Sequence, residues 1–184
     1  MTDITPTEAR RVLERAECVH SAEVVQNSLD TMAAAITERM QDANPLVISV
    51  MTGAIVLAGQ LLPRLNFPLQ LDYVHATRYR GRTKGGELYW INRPNFPLRD
   101  RTVLILDDIL DEGLTLEAIK DFCLQEGAAA VYSAVLVQKR HDRCVDGVEA
   151  DFTGLQVEDR YVFGCGMDYH GYHRNLPAIY AVDE

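Results

Sequence analysis

Three aspartates lie within five residues at the end of an apolar run in this chain of 184 residues. The segment VLILDDILDEGLTL, residues 103–116, leads through four branched apolar residues into Asp107 and Asp108, and Asp111 follows shortly after. Carboxylates this close repel one another unless a cation or several hydrogen-bond donors offset their charge. Sugar hydroxyls or a hydrated Mg²⁺ would provide that compensation. The spacing therefore predicts a site for a hydroxylated or metal-bound ligand.

The residues after Asp111 add a second kind of binding group. Glu112, Gly113, Leu114 and Thr115 form a turn that opens into a helix, and backbone N–H groups at a helix N-terminus bind anions such as phosphate. Sugar hydroxyls beside a phosphate describe a ribose 5-phosphate. The alternative is that the aspartates only cap the helix and face solvent. Two adjacent acids, a third acid and a Gly-Leu-Thr turn after a hydrophobic strand favour the binding site.

The elements that must position these groups follow from apolar patterning. The predicted strands are residues 45–51, 70–79, 103–106 and 130–139, with further candidates at 151–157 and 160–166. The predicted helices begin at Thr5-Pro6, run from Ala22 to about Met40, and run from the turn after Asp111 to Gly127. Strands alternating with helices predict an α/β fold with a doubly wound, mainly parallel sheet flanked by helices. In such sheets, ligands bind beyond the carboxyl ends of the strands.

Composition narrows the class of protein. The length suits a single α/β domain over residues 1–184, and 47% hydrophobic with 24% charged residues is typical of a globular chain. The net charge of −9 argues against a nucleic-acid partner, whose binding surface is usually basic. The four cysteines lack CxxC spacing, and the chain has neither an apolar leader nor a run of about 18 apolar residues. These features predict a cytoplasmic protein without a membrane span.

Segment 103–116 resembles the phosphoribosyl pyrophosphate (PRPP) signature of type I phosphoribosyltransferases: an apolar strand, two acids, two apolar residues, and then Asp-Thr-Gly-x-Thr. The likeness is greatest to the hypoxanthine-guanine branch and covers nearly the whole chain. PLVISVMTGA resembles that branch's strand and pyrophosphate loop, VLVQKRHDR its lysine-bearing strand, and DRYVFGCGMDYHGYHRNL its purine-binding tail. The signature is specific for the superfamily, whereas Lys139 and the tail select the branch that uses 6-oxopurines.

The resemblance implies how PRPP would be bound. Asp107 and Asp108 would hold the ribose hydroxyls, Asp111 would be the general base near purine N7, and the turn from Glu112 to Thr115 would cradle the 5-phosphate. Glu112 departs from the family, which commonly has Thr or Ser there. A carboxylate beside a phosphate is unfavourable, so we expect the Glu112 side chain to point away.

Further residues match the groups that bind pyrophosphate. The loop of Met51, Thr52 and Gly53, where the family often has a cis peptide, would bind it with help from Arg143 and Arg174. Thr52 stands where the family often has Lys or Arg. Arg78, Arg80, Arg82 or Lys84, from the Gly-punctuated segment between Arg78 and about Trp90, would replace that charge. This segment is expected to be a lid over the site, with a solvated surface hairpin as the alternative; its lid residues would be Arg78, Tyr79, Arg80 and Lys84.

The tail and Lys139 match the groups that bind the purine. Lys139 would donate to the 6-oxo group, Tyr161 would stack on the ring, and Val162 would contact the base through its backbone. Asp168 would border the base and bind Mg²⁺, with Asp107 and Asp108 as further metal-binding acids. The resemblance also implies a core of about residues 20–150, a hood from the N-terminal segment and about residues 151–184, and a homodimer or homotetramer.

Other functions remain open at this point. A phosphorylation-controlled receiver domain also places acids at strand ends, but it divides them between two strands, whereas here all three share one turn. A regulator of the same fold that binds RNA would need a basic face, which the net charge disfavours. Transfer to xanthine, orotate or adenine is the same-class alternative, and Lys139 with the tail disfavours orotate and adenine. The His170–His173 pair lacks neighbouring ligands and is expected to be a pair of surface histidines.

Overall fold

Helices and strands alternate along most of the chain in the computed structural model, which describes residues 4–78, 88–145 and 147–183. The helices are α1 (Pro6–Arg15), α2 (Ala22–Met40), α3 (Ile55–Leu61) and α4 (Leu114–Gln125), and a short 3₁₀ turn (Leu62–Arg64) follows α3. The strands are β1 (Glu17–His20), β2 (Leu46–Val50), β3 (Gln70–Arg78), β4 (Leu88–Asn92), β5 (Thr102–Leu110), β6 (Ala130–Arg140), β7 (Phe152–Glu158), β8 (Val162–Phe163) and β9 (Ile179–Ala181). Among the described residues, no helix combines the length and apolar character that a membrane crossing requires.

Six strands form the large sheet, in the order β4-β3-β2-β5-β6-β7. Strands β3, β2, β5, β6 and β7 are parallel, and β4 alone pairs antiparallel with its neighbour, β3. Strands β2 and β5 are neighbours in the sheet, although β3 and β4 lie between them in the chain. The strand order reverses at this point. The expected doubly wound, mainly parallel sheet is therefore confirmed, with its switch point at the carboxyl ends of β2 and β5.

Helices cover both faces of this sheet, which explains why β5 is apolar without alternation. Val103 and Ile105 lie in one buried cluster with the apolar face of α4. Leu104 and Leu106 point to the opposite face and lie in a second cluster with α2 and α3. All four side chains are fully buried, so β5 runs through the centre of the core and holds its carboxyl end rigidly.

Local signals set the helix ends where the sequence indicates them. Thr5 begins α1 with a capping box, because the Glu8 backbone N–H donates to Thr5 Oγ1 and the Thr5 N–H donates to the Glu8 carboxylate. Ser21 caps α2, whose five predicted apolar positions are buried. After α4, Gly127 adopts a φ of 91°, a left-handed conformation that glycine reaches without strain.

A second, three-stranded sheet combines segments from both ends of the chain. Its order is β1-β9-β8, and all its pairs are antiparallel. Strands β1 and β9, which have only four and three residues, were not predicted. Strand β7, at the start of the segment of about residues 151–184 that is expected to contribute to the hood, pairs with β6 as the edge strand of the large sheet. The strands of that segment that lie in the small sheet, β8 and β9, follow Glu158.

Strands β3 and β4 lie on either side of the segment that is expected to be a lid, and Trp90 lies on β4, which pairs with β3. Tyr79, Arg80 and Lys84 lie outside the described residues, as does the side chain of Arg78. The lid assignment stays a prediction.

Candidate active site

Two neighbouring carboxylates lie on the last part of β5. The sequence predicts a strand that ends at Leu106, but pairing with β6 continues to Leu110. Asp107 and Asp108 are thus partly buried within the strand, and the Asp108 N–H donates to Asp107 Oδ1 at 3.0 Å. Burial, followed by the charge of Asp108, raises the pKa of Asp107, and burial also raises the pKa of Asp108. Hydroxyl donors or a cation bound beside these two acids would favour their ionised forms.

The turn after β5 presents free backbone N–H groups at the start of α4. Gly113 has a φ of 81°, and a Cβ there would lie 2.8 Å from Val148 Cγ1, so both conformation and space require glycine. Within the described part of the chain, no side chain caps α4. The first N–H groups of the helix, at Leu114 and Thr115, lack intrahelical partners and line the cleft described below. This geometry suits a phosphate group.

Glu112, the residue that departs from the family pattern, is exposed. Its backbone carbonyl accepts a hydrogen bond from the Val145 N–H at 2.9 Å. The hydrogen bond to Asp159 raises the pKa of the Arg143 guanidinium, burial opposes this, and the charges of Asp159, Asp111 and, last, Glu112 raise the pKa further. The Arg143 guanidinium is therefore a positive charge near the Glu112 carboxylate.

The loop after β2 packs against β5 without space for a side chain. The Met51–Thr52 peptide bond is cis, as the resemblance implies. A Cβ on Gly53 would lie 2.2 Å from Asp108 Oδ2, and a Cβ on Gly166 would lie 2.1 Å from the Gly53 carbonyl oxygen. The loop, the strand end and the tail are thus held in direct contact around Asp108.

One cleft of about 420 Å³ joins these groups, a volume in the range of small-molecule sites. It brings together all of the residues predicted to bind ribose phosphate, the predicted pyrophosphate loop, Asp168 and Arg174. The lining residues are Val50, Met51, Thr52, Gly53, Asp107, Asp108, Ile109, Leu110, Asp111, Glu112, Gly113, Leu114, Thr115, Leu116, Asp168 and Arg174.

Arg174 connects the tail to the acids of β5. Its Nη2 lies 2.5 Å from Asp168 Oδ1, and its Nη1 donates to the Gly166 carbonyl at 2.5 Å. The same Nη1 lies 3.9 Å from Asp108 Oδ2. Asp168 also accepts the Gly171 N–H at 2.6 Å. Arg174 therefore supplies a positive charge at the cleft and fixes the orientation of Asp168.

A smaller cleft of about 190 Å³ adjoins the first. Tyr161 is 51% exposed, and its hydroxyl donates to the Asp168 carbonyl at 3.2 Å, so its ring is not core packing. Val162 is buried and paired in β8. The lining residues are Asp108, Ile109, Asp111, Lys139, Tyr161, Val162, Met167 and Asp168, which include the four residues that were predicted to bind the purine.

Asp111 lies where the two clefts meet, and both of its carboxylate oxygens have partners. Lys139 Nζ donates to Oδ2 at 2.9 Å, and His141 Nε2 lies 2.6 Å from Oδ1. Burial alone would raise the pKa of Asp111, but the hydrogen bonds from Lys139 and His141 together outweigh it and lower that pKa. Asp111 is therefore ionised at neutral pH, as a general base must be.

His141 was not among the predicted site residues, and Arg143 lies outside the larger cleft. Arg143 makes a two-point ion pair with Asp159, at 2.5 and 2.8 Å, and is not among the lining residues of that cleft. Its pyrophosphate role stays a prediction. The spacing could have indicated His141, because residues two apart, such as Lys139 and His141, point to the same side of an extended chain.

Neither predicted surface histidine forms a metal site among the described residues. His170 is exposed, but His173 is partly buried, and its Nε2 lies 2.8 Å from the Ala9 carbonyl oxygen. Asp111, His141 and Asp159 are close enough to share an ion. Lys139 and Arg143 already provide cations there.

Comparison with known proteins supports the likeness seen in the site. Residues 18–170 match the family model of the phosphoribosyl transferase domain. A hypoxanthine-guanine-xanthine phosphoribosyltransferase from Tritrichomonas foetus is 32% identical over 176 residues, which cover 96% of this chain and 95% of that protein. A hypoxanthine-guanine phosphoribosyltransferase from Bacillus subtilis is 32% identical over 160 residues, 86% of this chain and 88% of that protein.

Solved structures agree with this. A crystal structure of a hypoxanthine phosphoribosyltransferase from Staphylococcus aureus has a TM-score of 0.87 at 25% identity, over 98% of this chain and 97% of that one. The structure of a hypoxanthine-guanine-xanthine phosphoribosyltransferase has a TM-score of 0.85 at 29% identity, over 93% of this chain and 99% of that one. The chain therefore belongs to the phosphoribosyl transferase family, in its hypoxanthine-guanine branch.

Proposed function

We propose that the protein transfers the 5-phosphoribosyl group of PRPP to hypoxanthine or guanine, forming IMP or GMP and pyrophosphate in purine salvage. The observation that carries this proposal is the pair of adjoining clefts that share Asp108, Asp111 and Asp168. One cleft has the acids and helix N-terminus suited to a phosphorylated sugar. The other has a lysine beside an exposed tyrosine ring. A base and a ribose phosphate bound there would meet at Asp111.

The larger cleft has a group suited to each part of PRPP, which are the 5-phosphate, the ribose hydroxyls and the pyrophosphate. The N–H groups at the start of α4 would bind the 5-phosphate, and the acids of β5 would accept hydrogen bonds from the ribose hydroxyls. The loop from Met51 to Gly53 and the guanidinium of Arg174 would border the pyrophosphate. Gly53 lets the backbone of this loop lie directly against the Asp108 carboxylate.

The reaction replaces one bond at C1 of the ribose with another. N9 of the purine forms a bond to C1, while the bond from C1 to the pyrophosphate oxygen breaks and its electron pair leaves with pyrophosphate. The ionised carboxylate of Asp111 accepts the proton of N7, which makes N9 a better nucleophile. C1 becomes oxocarbenium-like along this path, so water must be excluded from the site.

We propose Mg²⁺ as the metal that accompanies PRPP. Asp107, Asp108 and Asp168 offer only oxygen atoms, which are the ligands that Mg²⁺ prefers. Burial raises the pKa of Asp107 and of Asp108, so a bound cation would stabilise the ionised form of both acids. When bound, Mg²⁺ would help neutralise the charge that develops on pyrophosphate. Asp168 is already oriented by Arg174 and by the Gly171 N–H.

Finer features of the proposal concern the rest of the molecule. We propose that the segment from Arg78 to Lys84 closes over the site, and that the small sheet serves as a hood over a core that ends with β7. We propose a cytoplasmic homodimer or homotetramer. The edge hairpin supports such an interface, because it exposes apolar side chains at Leu71, Tyr73, Tyr89 and Ile91.

A panel of bases tests the function. The purified protein should form nucleotides from PRPP, Mg²⁺ and either hypoxanthine or guanine, as measured by chromatographic separation of the products. Xanthine belongs in the panel because of the Tritrichomonas relative, and adenine and orotate test the alternatives. Product formation should be lost in a chelator and return with added Mg²⁺. The proposal is wrong if neither 6-oxopurine is converted, and the metal assignment is wrong if chelation has no effect.

Asp107→Asn should stabilise the free protein while weakening PRPP binding. Burial and the charge of Asp108 raise the pKa of Asp107, so ionising both acids costs stability near neutral pH. The amide can still accept the Asp108 N–H. We expect Tm to rise by about 2–4 °C for each kcal/mol regained. The gain should shrink as pH falls through the raised pKa, because protonation then removes the same charge in the wild type. Thermal unfolding with and without PRPP measures both effects.

Asp42→Asn is the matched control, since Asp42 is exposed just after α2. It should change neither Tm nor the stabilisation that PRPP confers. An Asp107→Asn protein that is less stable than the wild type, or that PRPP stabilises equally well, would contradict this account of the acidic pair.

A further inference from the structure

His141 lies directly behind Asp111 and takes no part in the steps proposed above. Its side chain is 4% exposed, and its Nε2 lies 2.6 Å from Asp111 Oδ1. The backbone N–H of Arg143 donates to Nδ1 of the same ring at 3.1 Å. A ring nitrogen that accepts a hydrogen bond carries no proton. The proton of the neutral ring is therefore on Nε2, and His141 donates to Asp111.

The His141 ring is fixed by the segment around it. Arg143, whose backbone orients Nδ1, is itself held by the two-point ion pair with Asp159. Asp159 follows β7, while His141 follows β6, so neighbouring strands of the large sheet anchor this arrangement. The donor that faces Asp111 Oδ1 is therefore held in place by contacts that do not involve a substrate.

Lys139, in contrast, has a second acceptor in the proposed reaction. It donates to Asp111 Oδ2 at 2.9 Å, and the proposed function also requires it to donate to the 6-oxo group of the base. An ammonium that turns toward the base holds Oδ2 less closely. Among the described residues, the hydrogen bond from His141 to Oδ1 does not depend on the base, and the Arg143 guanidinium lies 3.8 Å from the same oxygen.

We propose that His141 is a positioning residue for the transfer reaction, which holds Asp111 by Oδ1 and thereby directs Oδ2 at N7 of the bound purine. The inference rests on the proposed function, because a 6-oxopurine is the ligand toward which Lys139 turns. The hydrogen bond from His141 also favours the ionised form of the carboxylate, so the residue keeps Asp111 available as a base at lower pH.

Replacing His141 by leucine tests the inference through a pH profile. In His141→Leu, kcat should fall, and the acidic limb of its pH profile should move upward by about one pH unit, the size of a lost hydrogen bond to a charged group. The KM for PRPP should stay unchanged, because His141 does not line the larger cleft. Lys139, Arg143 and Asp159 face the same carboxylate but are retained in the variant, so the shift reports on His141.

Two further variants separate positioning from simple packing. His141→Gln keeps an N–H donor at nearly the same distance from the backbone, so it should restore the position of the acidic limb. His20→Leu removes an imidazole on β1 that contacts Gln156 and should leave the profile unchanged. A uniform loss of activity without a moved limb, or the same moved limb in His141→Gln, would overturn the inference.

The protonation of the His141 ring can also be measured on the wild-type protein, so this test does not depend on whether a variant folds. Proton–nitrogen correlation NMR of the imidazole rings should show His141 protonated on Nε2 and not on Nδ1, and a ring protonated on Nδ1 alone would overturn the inference. These outcomes are distinct from failure of the proposed function. In that case the wild-type protein would convert neither hypoxanthine nor guanine, whatever the state of His141.

Discussion

Adenine should be used about 10⁴-fold less efficiently than hypoxanthine or guanine, and Lys139 should be the reason. Its side chain is 13% exposed and lies at the smaller cleft beside Asp111. An ammonium group has three donors and no acceptor. It can donate to the oxygen at position 6 of hypoxanthine or guanine, whereas adenine has an amino group there, so that donor would face donor. Leaving a charged donor unpaired in a closed site costs more than the roughly 1–3 kcal/mol of a neutral group.

Lys139→Met should therefore reduce the difference in kcat/KM between the 6-oxopurines and adenine. The variant keeps the length of the side chain but loses the charge, so kcat/KM for the 6-oxopurines should fall far more than any residual rate with adenine. Steady-state kinetics with hypoxanthine, guanine and adenine measure the change. Lys120→Met on α4 is the matched control, since Lys120 contacts Glu149 and Asp151, away from both clefts. Comparable use of adenine by the wild type would refute the 6-oxopurine assignment but leave the PRPP site intact.

Asp111→Asn should lower turnover by roughly 10²–10⁴-fold, the usual range for a lost general base. The amide cannot take the proton of N7. It also has only one oxygen for the two donors, Lys139 and His141, that hold the carboxylate. Binding of PRPP should change little, because the acids of β5 and the start of α4 remain. Single-turnover kinetics and an equilibrium PRPP titration distinguish the two effects.

The control for this variant is Asp121→Asn, an exposed position on α4. It should have wild-type turnover. Near-normal turnover of Asp111→Asn would exclude Asp111 as the base. A parallel loss of PRPP affinity would show instead that the substitution damages the phosphate turn.

Local patterns were enough to predict β2, β3, β5 and β6, the parallel strands at the centre of the large sheet. Apolar runs that are buried on both faces, such as residues 103–106, identify central strands, and the helical spacing of the apolar residues in α2 identifies its buried face. The end of β5 was placed too early, because pairing of Asp107 and Ile109 with β6 extends the strand beyond its apolar part. Strands β1 and β9 were missed since four or three residues contain too few positions for any alternation to show.

Only those parts of the candidate site that are contiguous in the chain could be predicted from the residues themselves. The acids and the turn after β5 are contiguous, so the sequence predicts a ribose-phosphate site directly. Asp111 pairs with Lys139 and His141, and Arg143 pairs with Asp159, across different strands of the large sheet. A local sequence pattern does not predict which charged residues will pair in this way. For this reason, the ion pair between Arg143 and Asp159 was not predicted.

The pairing of the small sheet has a consequence for the order in which the protein is assembled during synthesis. All six strands of the large sheet precede Asp159, so that sheet can form as the chain emerges. Among the described residues, by contrast, β1 and β8 each pair with β9 alone, so neither can pair before residues 179–181 have been synthesised. Val162 lies on β8 and borders the smaller cleft. A nascent chain that stops before Ile179 would therefore have the β-sheet framework for PRPP but an incomplete wall for the base.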